Sequence, residues 1–276
     1  MISLSLIRQL NLFNNAQLKI IDYFAGAEGV SKGFSGLDWE YSCVKVSLFD
    51  SHRAAYLDCI KDKTEQLYID SDASFQRHLD LITMKAFRPR IKINVFEDGV
   101  GSYRTDLYVG AKKKIFDVLG IGTFLGGSPF TDSIFIYEDE KYGNIFPSVK
   151  CNVNKIEEPL FETISRLEPD IHRIFSYKPS LKRENETCIV YLSSHHVDTA
   201  FVDSLKGAGG DVFVKLHPRI KKFENIPGIE FLDTNVPAEI ILRDLSVAYK
   251  YVEVYHHGSS AEQYVDVEQI KFIKIS

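Results

Sequence analysis

Three short clusters carry the residue types that acid–base and anion chemistry requires. The first is Glu97-Asp98-Gly99, with Gly101 close behind, directly after the apolar run Ile91-Lys92-Ile93-Asn94-Val95-Phe96. A carboxylate at that point is a candidate general base. Successive strand residues face opposite ways, so one of Glu97 and Asp98 is expected to enter a site. Gly99 and Gly101 permit a sharp turn and a close ligand, although an Asp-Gly turn that merely caps the next helix has the same sequence. The second cluster is Lys215-Leu216-His217-Pro218. His217, held on a turn by Pro218, can donate a hydrogen bond to a departing phosphate, and Lys215 points the same way from two residues back. A half-buried histidine satisfied by backbone is the plain alternative. The third is His256-His257-Gly258-Ser259-Ser260, where two hydroxyls and free backbone N–H groups at a helix start would hold an anion, or simply cap the helix.

Weaker candidates surround these. His195 and His196 follow the run Thr187–Leu192 and could line the same crevice. His256 and His257 lack a suitably spaced carboxylate or cysteine, and Cys43, Cys59, Cys151 and Cys188 show no CxxC spacing, so no metal site is expected. The cysteines read as small buried hydrophobes of a reducing compartment. Gly26, Gly29, Gly33 and Gly36 do not match a dinucleotide fingerprint. Lys112-Lys113-Lys114 reads as a solvated helix face that could touch anionic lipid heads.

The elements that must position these clusters follow an α/β rhythm. Apolar runs at residues 18–24, 43–49, 66–70 and 91–96 alternate with helix candidates at 52–63 and 75–87, the first capped by Ser51 and the second by Asp72 or Ser74. In the second helix Phe75, Leu79, Ile82 and Phe87 approximate one apolar face, and Pro89 ends it. A less regular, glycine-rich middle leads to a strand at 133–137. Pro147, Pro159, Pro169 and the charged stretch Lys182-Arg183-Glu184-Asn185-Glu186 then read as a linker carrying a helix near 159–166. A second alternation runs from Thr187 to Ile275. The expected fold class is therefore α/β, with two Rossmann-like domains facing across a cleft: 1–150 with the acidic motif, a linker over 151–186, and 187–276. Ligands of such sheets sit at the carboxyl ends of the strands. The chain opens on a helix before its first strand and closes on a strand without a helix after it, so a first strand and a last helix of the class are expected to lie outside it.

Composition narrows the function classes. The chain has 276 residues, enough for one large domain or two ordinary ones. Its 45% hydrophobic content excludes disorder as the main state, and 33 basic against 38 acidic residues, a net charge of −5, argue against nucleic acid as a partner. No run of 18 apolar residues and no charged-then-apolar leader is present, so the expected compartment is the cytoplasm, with the inner face of a membrane left open.

The order acidic-acidic-Gly, Lys-x-His-Pro, then Ser-Ser resembles the signature of bacterial sialyltransferases, closest to glycosyltransferase family 52, with short motifs shared by the polysialyltransferase and marine-bacterial families. The resemblance spans about Ile91 to Ala261. It implies a GT-B architecture and inverting transfer of sialic acid from CMP-sialic acid, without an essential metal or other cofactor, to a terminal sugar such as galactose on a bacterial surface glycan. Residue by residue, it implies Asp98 of Glu97-Asp98-Gly99 as the base, with Glu97 still open for that role. It further implies His217 of His217-Pro218 at the CMP phosphate, Lys215 beside the cytidine, and Glu239 of Pro237-Ala238-Glu239 on the ribose. Ser259 and Ser260, after Gly258, are implied to bind the phosphate. The expected partners are a CMP-sugar and a glycan acceptor, with a membrane surface and a second copy of the chain left open. Another CMP-sugar such as CMP-Kdo, or a noncatalytic nucleotide-binding role in glycan assembly, remain the alternatives.

Overall fold

The computed structural model describes residues 1–22, 26–35, 40–179, 185–218, 220, 223 and 226–275. In chain order the elements are α1 (Ile2–Gln9), β1 (Gln17–Ile21), α2 (Ala27–Ser35), β2 (Lys45–Phe49), α3 (His52–Lys61), β3 (Gln66–Ile69), α4 (Phe75–Phe87) and β4 (Lys92–Phe96). A 3-10 turn, Gly99–Tyr103, precedes α5 (Gly110–Leu119), β5 (Ser133–Ile136), α6 (Asp139–Ile145), β6 (Asn152–Lys155), α7 (Leu160–Arg166) and α8 (Glu168–Ile174). Then come β7 (Thr187–Leu192), α9 (Thr199–Ser204), β8 (Asp211–Lys215), β9 (Glu230–Leu232), α10 (Ala238–Ala248), β10 (Tyr251–His256), α11 (Ala261–Tyr264) and β11 (Ile270–Lys274). The chain is α/β, and its two larger sheets are parallel, compatible with a Rossmann-like fold. No helix among the described residues is long and apolar enough to cross a membrane.

The chain divides into two compact units. The first comprises Met1–Ile21 and Phe49–Pro159, the second Asp22–Leu48 and Leu160–Ser276. These bounds differ from the expected 1–150, 151–186 and 187–276. The stretch expected as linker contributes β6, paired parallel to β5, to the first unit, and α7 and α8 to the second. Lys182, Arg183 and Glu184 of the charged stretch lie outside the described residues, as do Tyr23, Phe24 and Gly36.

In the first unit the sheet order is β3-β4-β5-β6, so the sheet starts at β3 and β1 and β2, expected within it, stand outside. Strand alternation divides its side chains between two covered faces, as a parallel sheet requires. Leu67, Ile69, Ile93, Val95, Ile134 and Ile136 pack with Tyr56 and Cys59 of α3, Leu81 and Met84 of α4, and Tyr142 of α6. On the other face Tyr68, Phe96 and Phe135 meet Ile2 and Leu6 of α1 and Ile156. Ser51 and Ser74 accept the Ala54 and Arg77 N–H groups, capping α3 and α4. The α4 stripe Phe75, Leu79, Ile82, Phe87 is exposed, however, because the helix turns Leu81 and Met84 to the sheet instead.

Asp72, the other cap candidate, has a different role. Its buried carboxyl accepts the Gly126 and Ser128 N–H groups, each at 2.9 Å, and the Thr131 hydroxyl at 2.7 Å. That ties the end of β3 to the glycine-rich segment, where Gly126 has φ +78° and a Cβ would stand 2.9 Å from the Tyr142 hydroxyl. Tyr142, whose hydroxyl donates to the Leu125 carbonyl, holds the same segment from α6.

The second unit has the strand order β11-β10-β7-β8-β9, all parallel. Renumbered within the unit and read from β9, this is 3-2-1-4-5, the winding of mononucleotide-binding sheets, with the reversal between β7 and β10. Ile189, Tyr191, Val214 and Leu216 face Val202 of α9, while Ile240, Ile241, Leu242 and Leu245 bury α10. Segment 22–48 belongs here because α2 packs on α8: a Cβ at Gly33 would meet the Ile174 carbonyl oxygen at 2.7 Å.

Asp72→Ala strands three donors in the core. It should lower the unfolding free energy by about 3 kcal/mol or more, read by urea denaturation; a loss under about 1 kcal/mol would show that the anchor is not made.

Candidate functional site

At the carboxyl end of β4 the two neighbouring acids part company. Glu97 is fully buried, and its Oε2 accepts the Tyr103 hydroxyl and the Tyr137 N–H, both at 2.8 Å, while the Tyr103 oxygen accepts the Glu138 N–H at 3.1 Å. Glu97 therefore clamps the ends of β4 and β5 to the 3-10 turn. Asp98 is solvent-exposed, and its backbone N–H donates to Ser102 Oγ at 2.8 Å. Gly99 follows at φ +64°, the left-handed region that favours glycine. The protein packed around this strand end, and secondarily the Asp70 carboxylate, push the Asp98 carboxyl above the usual aspartate range. Asp70, just after β3, was not singled out from the sequence; its only signal there is a strand ending on an acid.

The second unit gathers the other candidates at one edge. Strand register sets His256, Leu192 and Lys215 in a row across β10, β7 and β8. The Lys215 ammonium is buried and donates to the Thr234 carbonyl at 3.0 Å and the Leu216 carbonyl at 3.4 Å. Burial lowers it to about 8, opposed by Asp233 and Glu239. Glu239, half-buried in the first turn of α10, is raised by burial and lowered by Lys215. His217 is half-buried; its N–H donates to Ser193 Oγ at 2.8 Å, and its ring meets that of exposed His195 edge-on, centroids 4.2 Å apart. Pro218 is exposed beside it. Ser193 also donates its N–H to the Lys215 carbonyl at 3.0 Å, sewing β7 to β8, a role that no local pattern announces.

At the end of β10, His256 is fully buried, and its Nδ1 accepts the Gly258 and Ser259 N–H groups at 3.1 and 3.0 Å. Two of the N–H groups expected to be free for an anion are thus engaged. Ser259 Oγ accepts the Ala261 N–H at 3.2 Å and keeps its hydroxyl proton to donate, while Ser260 precedes α11 without a side-chain cap bond. With α11 only four residues long, an anion here would depend on hydroxyls, not on a helix dipole. His257 turns to the opposite face, its Nε2 3.1 Å from the Tyr191 hydroxyl, whose oxygen accepts the Asp198 N–H.

Among the described residues, Glu168, His172 and Asp244 form the set whose ligand atoms lie within 4.8 Å of one another. Arg243 of α10 pairs with Glu168 of α8 and with Asp244, joining the two helices through opposite charges, and His172 Nε2 lies 3.0 Å from Asp244. Neither a family model nor a curated protein sequence matches the chain.

Because folding lowers Lys215 from 10.5 to about 8, the unfolded chain binds this proton more tightly. Stability should therefore rise with pH between those two values. Lys215→Met should abolish that rise in urea unfolding measured across the window; equal slopes for both proteins would mean that the ammonium is not desolvated.

Proposed function

We propose that the chain is a GT-B type, inverting glycosyltransferase that moves sialic acid from CMP-sialic acid to a terminal sugar, such as galactose, of a bacterial surface glycan. The observation that carries the reading is the mononucleotide-type winding of the second unit, with Lys215, His217, Glu239, Ser259 and Ser260 all at the carboxyl edge of its sheet. In the first unit Asp98 is exposed at a strand end and raised above the usual range, which brings a carboxylate nearer the basicity that a general base needs.

In the proposed reaction the acceptor hydroxyl oxygen forms a bond to the anomeric carbon of sialic acid while the bond from that carbon to the phosphate oxygen breaks. The hydroxyl proton passes to Asp98. The electron pair of the broken bond stays on CMP, whose growing charge is met by a hydrogen bond from His217 and by the Ser259 and Ser260 hydroxyls. Glu239 would take the ribose hydroxyls, and Lys215 the cytidine side. Glu97 holds the strand end from which Asp98 projects. We place the enzyme in the cytoplasm at a membrane surface, a reading supported by α5: Ile115, Val118 and Leu119 are exposed on it beside Lys112 and Lys114.

Asp98→Asn and His217→Ala should each lower kcat by about 10²-fold or more with the fold intact. Nearly full activity in either variant removes that residue's role, and product analysis with CMP-sialic acid and CMP-Kdo as rival donors decides the sugar. Replacing Ser259 and Ser260 together by alanine should raise the Kd for CMP about tenfold or more. A lowered Tm with unchanged CMP affinity would instead mean that the two hydroxyls only shape the turn.

A further inference from the structure

His256 stands out among the groups the proposed reaction does not use, since a fully buried imidazole accepts two backbone N–H groups on one nitrogen. We propose that His256 is the positioning residue of the turn carrying Ser259 and Ser260, acting as a neutral imidazole whose Nδ1 lone pair holds the Gly258 and Ser259 N–H groups. Its effect on a nucleotide rests on the donor-site reading above; its effect on the turn does not.

The argument is one of proton inventory. A neutral imidazole carries one N–H and one lone pair. Two donors converge on Nδ1, so the lone pair is there and the proton is on Nε2. That nitrogen is buried, without a hydrogen-bond partner among the described residues, and 3.6 Å from Glu262 Oε2 of α11. A second proton could go only to Nδ1. It would set N–H against N–H, break both bonds and free the turn, in which Gly258 stands at φ +97°.

The surroundings favour the neutral form. Burial holds His256 below its ordinary 6.5; Lys274 of β11, its register partner, and His257 on its own strand end act in the same direction, and Glu262 acts against them. The Phe272 ring of β11 closes the remaining side edge-on, centroids 5.7 Å apart. A depressed value means that the contribution of His256 to stability is complete above 6.5 and is lost as pH falls through its folded value.

Nitrogen-15 NMR of the full chain, titrated from neutral to mildly acid pH, tests this directly. The expected result is an Nε2–H tautomer, with the Gly258 and Ser259 amide signals moving together with the His256 titration. His256→Asn keeps an acceptor oxygen near the Nδ1 position but cannot titrate, so its turn signals should stay unchanged over the same range. His256→Ala should lose the turn at every pH. CMP affinity should fall about tenfold more from neutral to acid pH in the native chain than in His256→Asn, a comparison that cancels the titration of CMP itself and of every group the two proteins share. An Nδ1–H tautomer, or Gly258 and Ser259 amides indifferent to the His256 titration, overturns the assignment. If the NMR response is as expected and no variant binds CMP, the positioning role stands and the donor-site reading falls.

Discussion

Where a parallel strand stops, the backbone N–H groups that follow lose their ladder partners, and if the edge is buried something else must accept them. This chain meets that constraint with a buried side-chain acceptor at each strand end that matters. Glu97 takes Tyr137 after β5, and Asp72, itself just beyond β3, takes the Gly126 and Ser128 N–H groups of the loop that leads into β5. Ser193 takes His217 beyond β8, and His256 takes Gly258 and Ser259 beyond β10. Asp98, His217 and Ser259, which the proposed reaction uses, are each held by one of these acceptors or adjacent to it. Asp98 follows Glu97 directly; the His217 and Ser259 amides are themselves the captured donors.

This arrangement explains why anchors and reactive groups are hard to separate by residue type. Glu97 and Asp98 are chemically alike, yet one has its carboxyl hydrogen-bonded in the interior while the other is exposed to solvent. Strand alternation foretold that they would diverge, though not which would turn inward. That choice was made by Tyr103 and by the end of β5, partners 6 and 40 residues away along the chain.

The legible parts of the fold were those set by local pattern. The Ser51 and Ser74 caps, the strands β3, β4, β7, β8 and β10, and the turn glycines follow from side-chain period and backbone freedom. What could not be read depends on distant partners. The strands β1 and β2 have the same alternation as β3, and nothing in five residues states which sheet they join. The strand β6, Asn-Val-Asn-Lys, offers one apolar side chain and so resembled linker. The stripe on α4 followed helical spacing, but the sheet selected Leu81 and Met84. In the site, the type and position of Lys215 and His217 were visible. The roles of Ser193 and His256 were not, because each acts on a backbone group whose need for a partner arises only once the strands are side by side.

The two edges also differ in the kind of acceptor they use, and that difference has an electrostatic consequence. In the first unit the groups at the strand ends are acids, Asp72 and Glu97, with Asp70 beside Asp98. Burial first, and the Asp70 carboxylate second, favour a protonated carboxyl and so make Asp98 a stronger base than an isolated aspartate. In the second unit the same structural task falls to a hydroxyl and an imidazole, which satisfy N–H groups without adding negative charge. The edge that remains carries the Lys215 ammonium, only partly offset by Glu239 and Asp233. Had His256 or Ser193 been a carboxylate, the hydrogen bonds could have been equally good, but a buried negative charge would have been added to this edge. Neutral acceptors at one edge and acidic ones at the other thus let a single backbone requirement be met with opposite electrostatic consequences, the difference on which the proposed division into a base side and a phosphate side rests.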